Sequence, residues 1–189
     1  MEVYVIRHTA VAVDKGRCYG QSEVPLADSG EQDIKALCGK LPQDFDKVYS
    51  SPSSRCQHLA VQIAGLELEY DQALMEMNFG DWEQQLWNDM DQEALGIWMA
   101  DFVHTKAPAG ESLALLFKRV QDFMDLLRTQ DFKKVAMVTH AGVIRCIWAY
   151  LLEIPLQNVF KIPVDYGDGL IFSLNSDQAF DQIKKLSIK

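Results

Sequence analysis

Positive charge is scarce in this sequence: 18 Lys and Arg residues stand against 27 Asp and Glu, a formal net charge of −9. Such a surface repels nucleic-acid phosphates, and no Lys/Arg cluster offsets it, so no nucleic-acid partner is expected. Cysteine is also sparse. Cys18, Cys38, Cys56 and Cys146 are scattered without Cys-x-x-Cys spacing, which argues against a zinc knuckle and supplies no disulfide framework. Reduced thiols in a cytoplasmic protein are the simplest reading. No apolar run is long enough to span a bilayer, so no membrane partner is expected. Met1 to Ile6 lacks a basic flank and a small-residue cleavage site, and reads as a strand rather than a signal peptide. Repeats, linkers and low-complexity tracts are missing too, so residues 1–189 read as a single domain.

What the chain does contain is an alternation of two periods. Met1 to Ile6 is short, apolar and β-branched, and ends in Arg7-His8-Thr9. Ser29 to Gln32 has capping-box spacing, which predicts a helix from there to about Leu41. Lys47 to Ser50 reads as a second strand, and Ser51-Pro52-Ser53-Ser54 opens a second helix. A third strand is expected over Leu66 to Tyr70. Residues 74–89 have no clean period and read as a functional or covering loop. Helices are expected over Asp91 to Phe102 and Glu111 to Thr129, then a central parallel strand over Lys134 to Thr139. A helix follows through Leu152, and late strands near Gly169 to Leu174 and Ile183 to Ile188. Strands alternating with helices predict an α/β fold with a mainly parallel central sheet.

Two of the expected strands end in a histidine, His8 and His140. Ligands of open α/β sheets bind beyond the carboxyl ends of strands. Right-handed crossovers bring those ends to one edge, which makes the two histidines candidate neighbours. Arg7 precedes His8, Arg55 sits in the first turn of the second helix, and Arg145 lies one turn beyond His140. Guanidinium forks and helix N-termini both hold phosphate oxygens. Such a site would be a local positive pocket within an acidic exterior. Arg145 reads as structural, and His58 and His104 as surface residues.

The blocks around these residues resemble the histidine phosphatase superfamily. Arg7-His8-Thr9 resembles its Arg-His-Gly signature, and Ser50 to Ala60 its Ser-Ser-Pro-x-x-Arg-x-x-Gln-Thr-Ala block. Glu76 to Glu83 is similar to Glu-x-x-Phe-Gly-x-Trp-Glu. Ala109 to Ser112 is similar to Gly-Gly-Glu-Ser, and Val138 to Gly142 to the second-histidine block. Five blocks occur in the family's order. The chain departs from them at Thr9, where glycine is usual, and at His58-Leu59, which stand where glutamine-threonine is usual. The resemblance implies a three-layer α/β/α, phosphoglycerate mutase-like fold and a phosphomonoesterase working through phosphohistidine.

It also implies roles. His8 would be the nucleophile. Arg7, Arg55 and His140, with amides near Ala141, would hold the phosphoryl oxygens. Glu76 would protonate the leaving oxygen and then activate water, with Asp81 and Glu83 as possible assistants. Glu111 and Ser112 would support the site. Positive side chains would stand in place of a metal, so no metal or other cofactor is implied. Thr9 and Cys18 to Leu26 resemble one branch, the α-ribazole phosphatases of cobalamin biosynthesis, in which Tyr19 and Gly20 would line the pocket. The implied partner is a small-molecule phosphomonoester, α-ribazole 5′-phosphate. Tyr19, Phe79, Trp82 and Trp87 are candidates to cover its flat base, with core or lid packing as the alternative for Phe79 and each tryptophan. The alternatives are a broad-specificity sugar phosphatase or mutase on the same core, and a non-catalytic phosphate-binding module.

Overall fold

Val3 and Val5 are buried on one face of the first strand and Ile6 on the other, each fully inaccessible. A strand with no wet face needs cover on both sides, and the fold supplies it. The computed structural model describes residues 1–63 and 67–185. Its strands are β1 (Glu2–Arg7), β2 (Lys47–Ser50), β3 (Leu68–Tyr70), β4 (Lys134–Thr139), β5 (Gly169–Ser173) and β6 (Gln182–Lys185). They form one sheet in the order β3-β2-β4-β1-β5-β6. β1 to β4 run parallel, and β5 pairs antiparallel with both β1 and β6.

Helices α1 (Gly30–Cys38) and α2 (Ser54–Ile63) cover one face. Ile34, Leu37, Cys56 and Leu59 pack there with Ala136 and Val138 of β4. Helices α3 (Gln92–Ala100), α4 (Leu113–Arg128) and α5 (Ala141–Leu152) belong to the other side, where Leu116, Val120 and Ile144 meet Val135 and Met137. The alternation within β4 is what divides the core into two layers. The expected three-layer arrangement with a mainly parallel sheet is therefore observed.

The element ends differ in detail. The capping box at Ser29 does not form. Its hydroxyl donates to the Asp33 carboxylate at 2.8 Å and makes no cap bond to a helix amide, because Ser29 itself has helical backbone angles, φ −78° and ψ −8°, in place of the extended conformation that aims an N-cap oxygen at the helix amides. The first helix stops at Cys38, and Gly39, a poor helix former, begins the turn that precedes Pro42. Asp91 and Ser112 do cap α3 and α4, accepting from Ala94 and Leu115 amides. Leu66 and residues 186–188, expected in strands, lie outside the described residues. No described helix is long and apolar enough to cross a membrane.

The register matters most at one end of the sheet. Arg7 is opposite Thr139, and the His8 amide donates to the Thr139 carbonyl at 3.0 Å. Two residues separated by over half the chain are thus placed side by side by a parallel ladder.

Candidate active site

His8 and His140 leave adjacent strands at the same edge, with ring centroids 5.2 Å apart and edge-to-face. Both rings are buried. His8 Nδ1 lies 2.8 Å from its neighbour's carbonyl, that of Thr9. A carbonyl can only accept, so the ring proton sits on Nδ1 and the lone pair on Nε2. Burial, then the charges of Arg55 and Arg7, push the His8 pKa down to about 3. The ring is therefore neutral, as a nitrogen nucleophile must be.

That neutrality has a measurable consequence. An unfolded histidine titrates near 6.5. As pH falls below that value the unfolded chain takes up a proton that the fold refuses until about pH 3. The stability held through neutral His8 is complete above about 6.5 and is lost progressively toward 3. Between pH 7 and pH 5 we expect wild type to lose about 2 kcal/mol more than His8→Gln in urea melts. Equal losses in the two proteins would show that His8 is not held neutral.

His140 Nε2 is 2.8 Å from the Ser51 hydroxyl and 3.0 Å from that of Ser53, with Cys56 Sγ at 3.5 Å. Burial and the surrounding cations hold its pKa well below the ordinary value. Ser51 and Ser53 come from the turn between β2 and α2, and the same turn delivers Arg55. That side chain is fully buried and donates to the carbonyls of Ser22 and Gly20 at 2.8 and 2.7 Å. Arg7 donates to the Val164 carbonyl at 2.7 Å. Among the described residues, neither guanidinium is paired with a carboxylate. Buried side-chain polar atoms without a protein partner are few among the described residues. Four of them are Arg7 Nε, Arg55 Nε, His140 Nδ1 and Thr9 Oγ1, and the fifth is Trp98 Nε1. Each such group costs about 1–3 kcal/mol. Their concentration on residues around His8 fits a place built for an anion with several acceptor oxygens.

Glu76 approaches from the 74–89 loop to the start of α5. One carboxylate oxygen accepts from the Gly142 amide at 3.1 Å and the other from the Met77 amide at 2.9 Å. The amide expected to help hold phosphate near Ala141 is thus, at Gly142, bonded to Glu76. Arg119 of α4 fixes the loop from behind. It donates to the Glu76 and Ala73 carbonyls at 2.9 and 2.7 Å and pairs with Glu111 at 2.9 Å. Glu111 in turn accepts from the Asn78 amide, which matches its expected support of the site.

Glu83 is held by hydrogen bonds to backbone and to one hydroxyl. It accepts from the amides of Gln21, Ser22 and Phe79 and from the Ser22 hydroxyl, and so joins the 18–22 segment to the Glu76 loop. Asp81 is exposed. Gly20 has φ +40, and a Cβ there would stand 2.3 Å from Glu83 Oε1, so the turn that offers its carbonyl to Arg55 requires glycine. Tyr19 lies over Arg55, 5.2 Å from ring centroid to Cζ.

Of the two readings of the loop aromatics, packing is the one observed for Trp82. Trp82 is 4% exposed and packs edge-on to Trp98 at 5.7 Å, with Phe79 edge-on to Trp87 at 5.6 Å. Trp82 is core, because α3 brings Trp98 against it, and it is not a candidate base-stacking residue. Arg145 donates to the Ile162 carbonyl and lies over Phe160, the structural role expected of it. Sequence reasoning missed Tyr166, whose ring covers Arg7, and Arg119. It quoted Ser51 and Ser53 only as part of a motif.

Comparison with known proteins agrees with this geometry. The family model described as histidine phosphatase superfamily (branch 1) matches residues 3–184. The chain is 29% identical to the adenosylcobalamin/alpha-ribazole phosphatase of Escherichia coli K12, covering 99% of this chain and 96% of that one. It is 27% identical to phosphoserine phosphatase 1 of Hydrogenobacter thermophilus, covering 92% and 85%. The crystal structure of the alpha-ribazole phosphatase from Shigella flexneri superposes with a TM-score of 0.89 at 28% identity, covering 98% and 96%. With its paired histidines at one sheet edge and a family match over nearly its whole length, this chain belongs to the histidine phosphatase superfamily, branch 1.

Proposed function

We propose that this phosphoric monoester hydrolase transfers the phosphoryl group of α-ribazole 5′-phosphate to His8 and then to water. The observation that carries the chemistry is the neutral His8 ring, its proton tied to the Thr9 carbonyl and its Nε2 lone pair free, beside two guanidiniums without counterions. In the first step Nε2 bonds to phosphorus as the ester P–O bond breaks, and Glu76 gives its proton to the leaving oxygen. In the second, water attacks phosphorus, its proton passes to Glu76, and the N–P bond breaks. Arg7, Arg55 and His140 take the equatorial oxygens and stabilise their charge in both transition states. Ala141, Tyr19 and Gly20 border the same space. All the positive charge in this scheme comes from side chains.

The substrate assignment rests on the Cys18 to Leu26 segment and on the relatives named for α-ribazole phosphatase activity. Fold and catalytic residues alone leave the substrate open. A competition assay with α-ribazole 5′-phosphate, phosphoserine, 3-phosphoglycerate and fructose phosphates tests it. We expect kcat/KM for α-ribazole 5′-phosphate to exceed the others by on the order of tenfold or more. Preference for phosphoserine or a glycolytic phosphate would remove the cobalamin assignment and leave the phosphohistidine chemistry standing.

A further inference from the structure

The two guanidiniums are linked to each other through tyrosines. Arg7 Cζ lies 3.9 Å from the centroid of the Tyr166 ring, and Arg55 Cζ lies 5.2 Å from that of Tyr19. The two phenolic oxygens are 3.0 Å apart. A continuous chain, Arg7–Tyr166–Tyr19–Arg55, therefore joins the 162–168 segment to the 18–22 segment. The Tyr166 ring also stands 5.5 Å from the His8 ring.

This arrangement answers a physical problem. A guanidinium that must grip a phosphoryl group has to be held still without being neutralised. A carboxylate would hold it but cancel its charge. Backbone carbonyls and aromatic faces hold it and leave the charge in place. Arg7 has the Val164 carbonyl and the Tyr166 face. Arg55 has the Ser22 and Gly20 carbonyls and the Tyr19 face. Each arginine is fixed to its own loop, and the hydroxyl contact is what fixes one loop relative to the other across this side of the site. Burial and the bond to Tyr166 also keep the Tyr19 phenol protonated far above its ordinary range, so the contact retains a donor.

We propose that Tyr166 is a positioning residue: through its hydroxyl contact with Tyr19 it sets the separation of the Arg7 and Arg55 guanidiniums, so that both meet the phosphoryl oxygens in the transition state. This rests on the reading of His8 as the phosphoryl acceptor. Its signature is coupling. Cutting the contact from either side should do the same damage, and cutting it from both should do no more.

The test compares wild type with Tyr166→Phe, Tyr19→Phe and the double variant, each of which keeps the aromatic faces. Steady-state kinetics on p-nitrophenyl phosphate, inhibition by orthovanadate as a mimic of five-coordinate phosphorus, and the Tm are measured for each. We expect each single variant to lower kcat by on the order of tenfold with KM nearly unchanged. Vanadate inhibition should weaken by a similar factor with Tm unmoved, and the double variant should match the singles. Full activity in Tyr166→Phe overturns the proposal, as does a double variant whose loss is the product of the two singles. If Tyr166→Phe melts below the assay temperature, Tyr19→Phe cuts the same contact, and its full activity overturns the proposal equally. A failure of the underlying reading looks different: His8→Ala would then be as active as wild type, whatever the tyrosine variants do.

Discussion

His8→Ala is expected to lose activity by on the order of 10⁴-fold or more, together with the acid-labile phosphoenzyme seen in rapid quench with labelled substrate. The size follows from the role. The other imidazoles are placed differently: His140 turns Nε2 to the Ser51 and Ser53 hydroxyls, which can donate to it and leave its proton on Nδ1, while His58 and His104 are exposed, bonded to the Ser54 carbonyl and the Asp101 carboxylate. The arginines and His140 would remain, so phosphate binding should persist in the variant while turnover stops. Labelled phosphate trapped on a different residue, with His8→Ala still active, would refute the mechanism.

The second large effect concerns the proton. Glu76→Gln keeps the shape but has no proton to give, and general acid catalysis contributes on the order of 10²–10⁴-fold. A ribose 5′-oxygen is a poor leaving group and needs that proton, whereas p-nitrophenolate leaves without much help. The loss in kcat/KM, which reports the first transfer and not the hydrolysis of phosphohistidine, should therefore approach that range on α-ribazole 5′-phosphate and stay near tenfold on p-nitrophenyl phosphate. Gly142→Ala gives the same contrast by geometry alone. A Cβ at Gly142 would stand 2.1 Å from Glu76 Oε1, so the carboxylate has to move while its chemistry is unchanged. Equal slowing across leaving groups in both variants would remove Glu76 from the role of acid.

Residues whose position follows from a repeating ladder were readable in the sequence. His8 and His140 each end an apolar run, and parallel pairing then makes them neighbours. Arg55 was readable because a strand, a Ser-Pro turn and a helix start fix where a first-turn side chain goes. Tyr166 was not, because residues 162–168 are irregular and one tyrosine among them carries no period. Arg119 was hidden differently: it lies off the apolar stripe of α4, where an arginine usually faces solvent, and only the fold shows that the Glu76 loop passes there. Trp82 was ambiguous for a related reason. Aromatics in an aperiodic loop resemble a ligand cover until another element is placed against them, and here α3 supplies Trp98. The failed cap at Ser29 turned on that residue's own helical backbone conformation, which spacing does not record.

The place of β1 in the sheet bears on how the protein is made. Its hydrogen-bonding neighbours are β4 and β5, both from the last third of the chain. Domains tend to fold as units during synthesis at about 5–20 residues per second. Here β1 leaves the ribosome before either of its partners and pairs on neither edge until residues 134–173 have followed it. During that interval Val3, Val5 and Ile6 form an apolar segment with both edges open, the kind of segment that pairs wrongly with other chains. The same delay means that no nascent fragment ending before β4 has the paired histidines. The nucleophile gains its surroundings only after β4 and the histidine that follows it have been made.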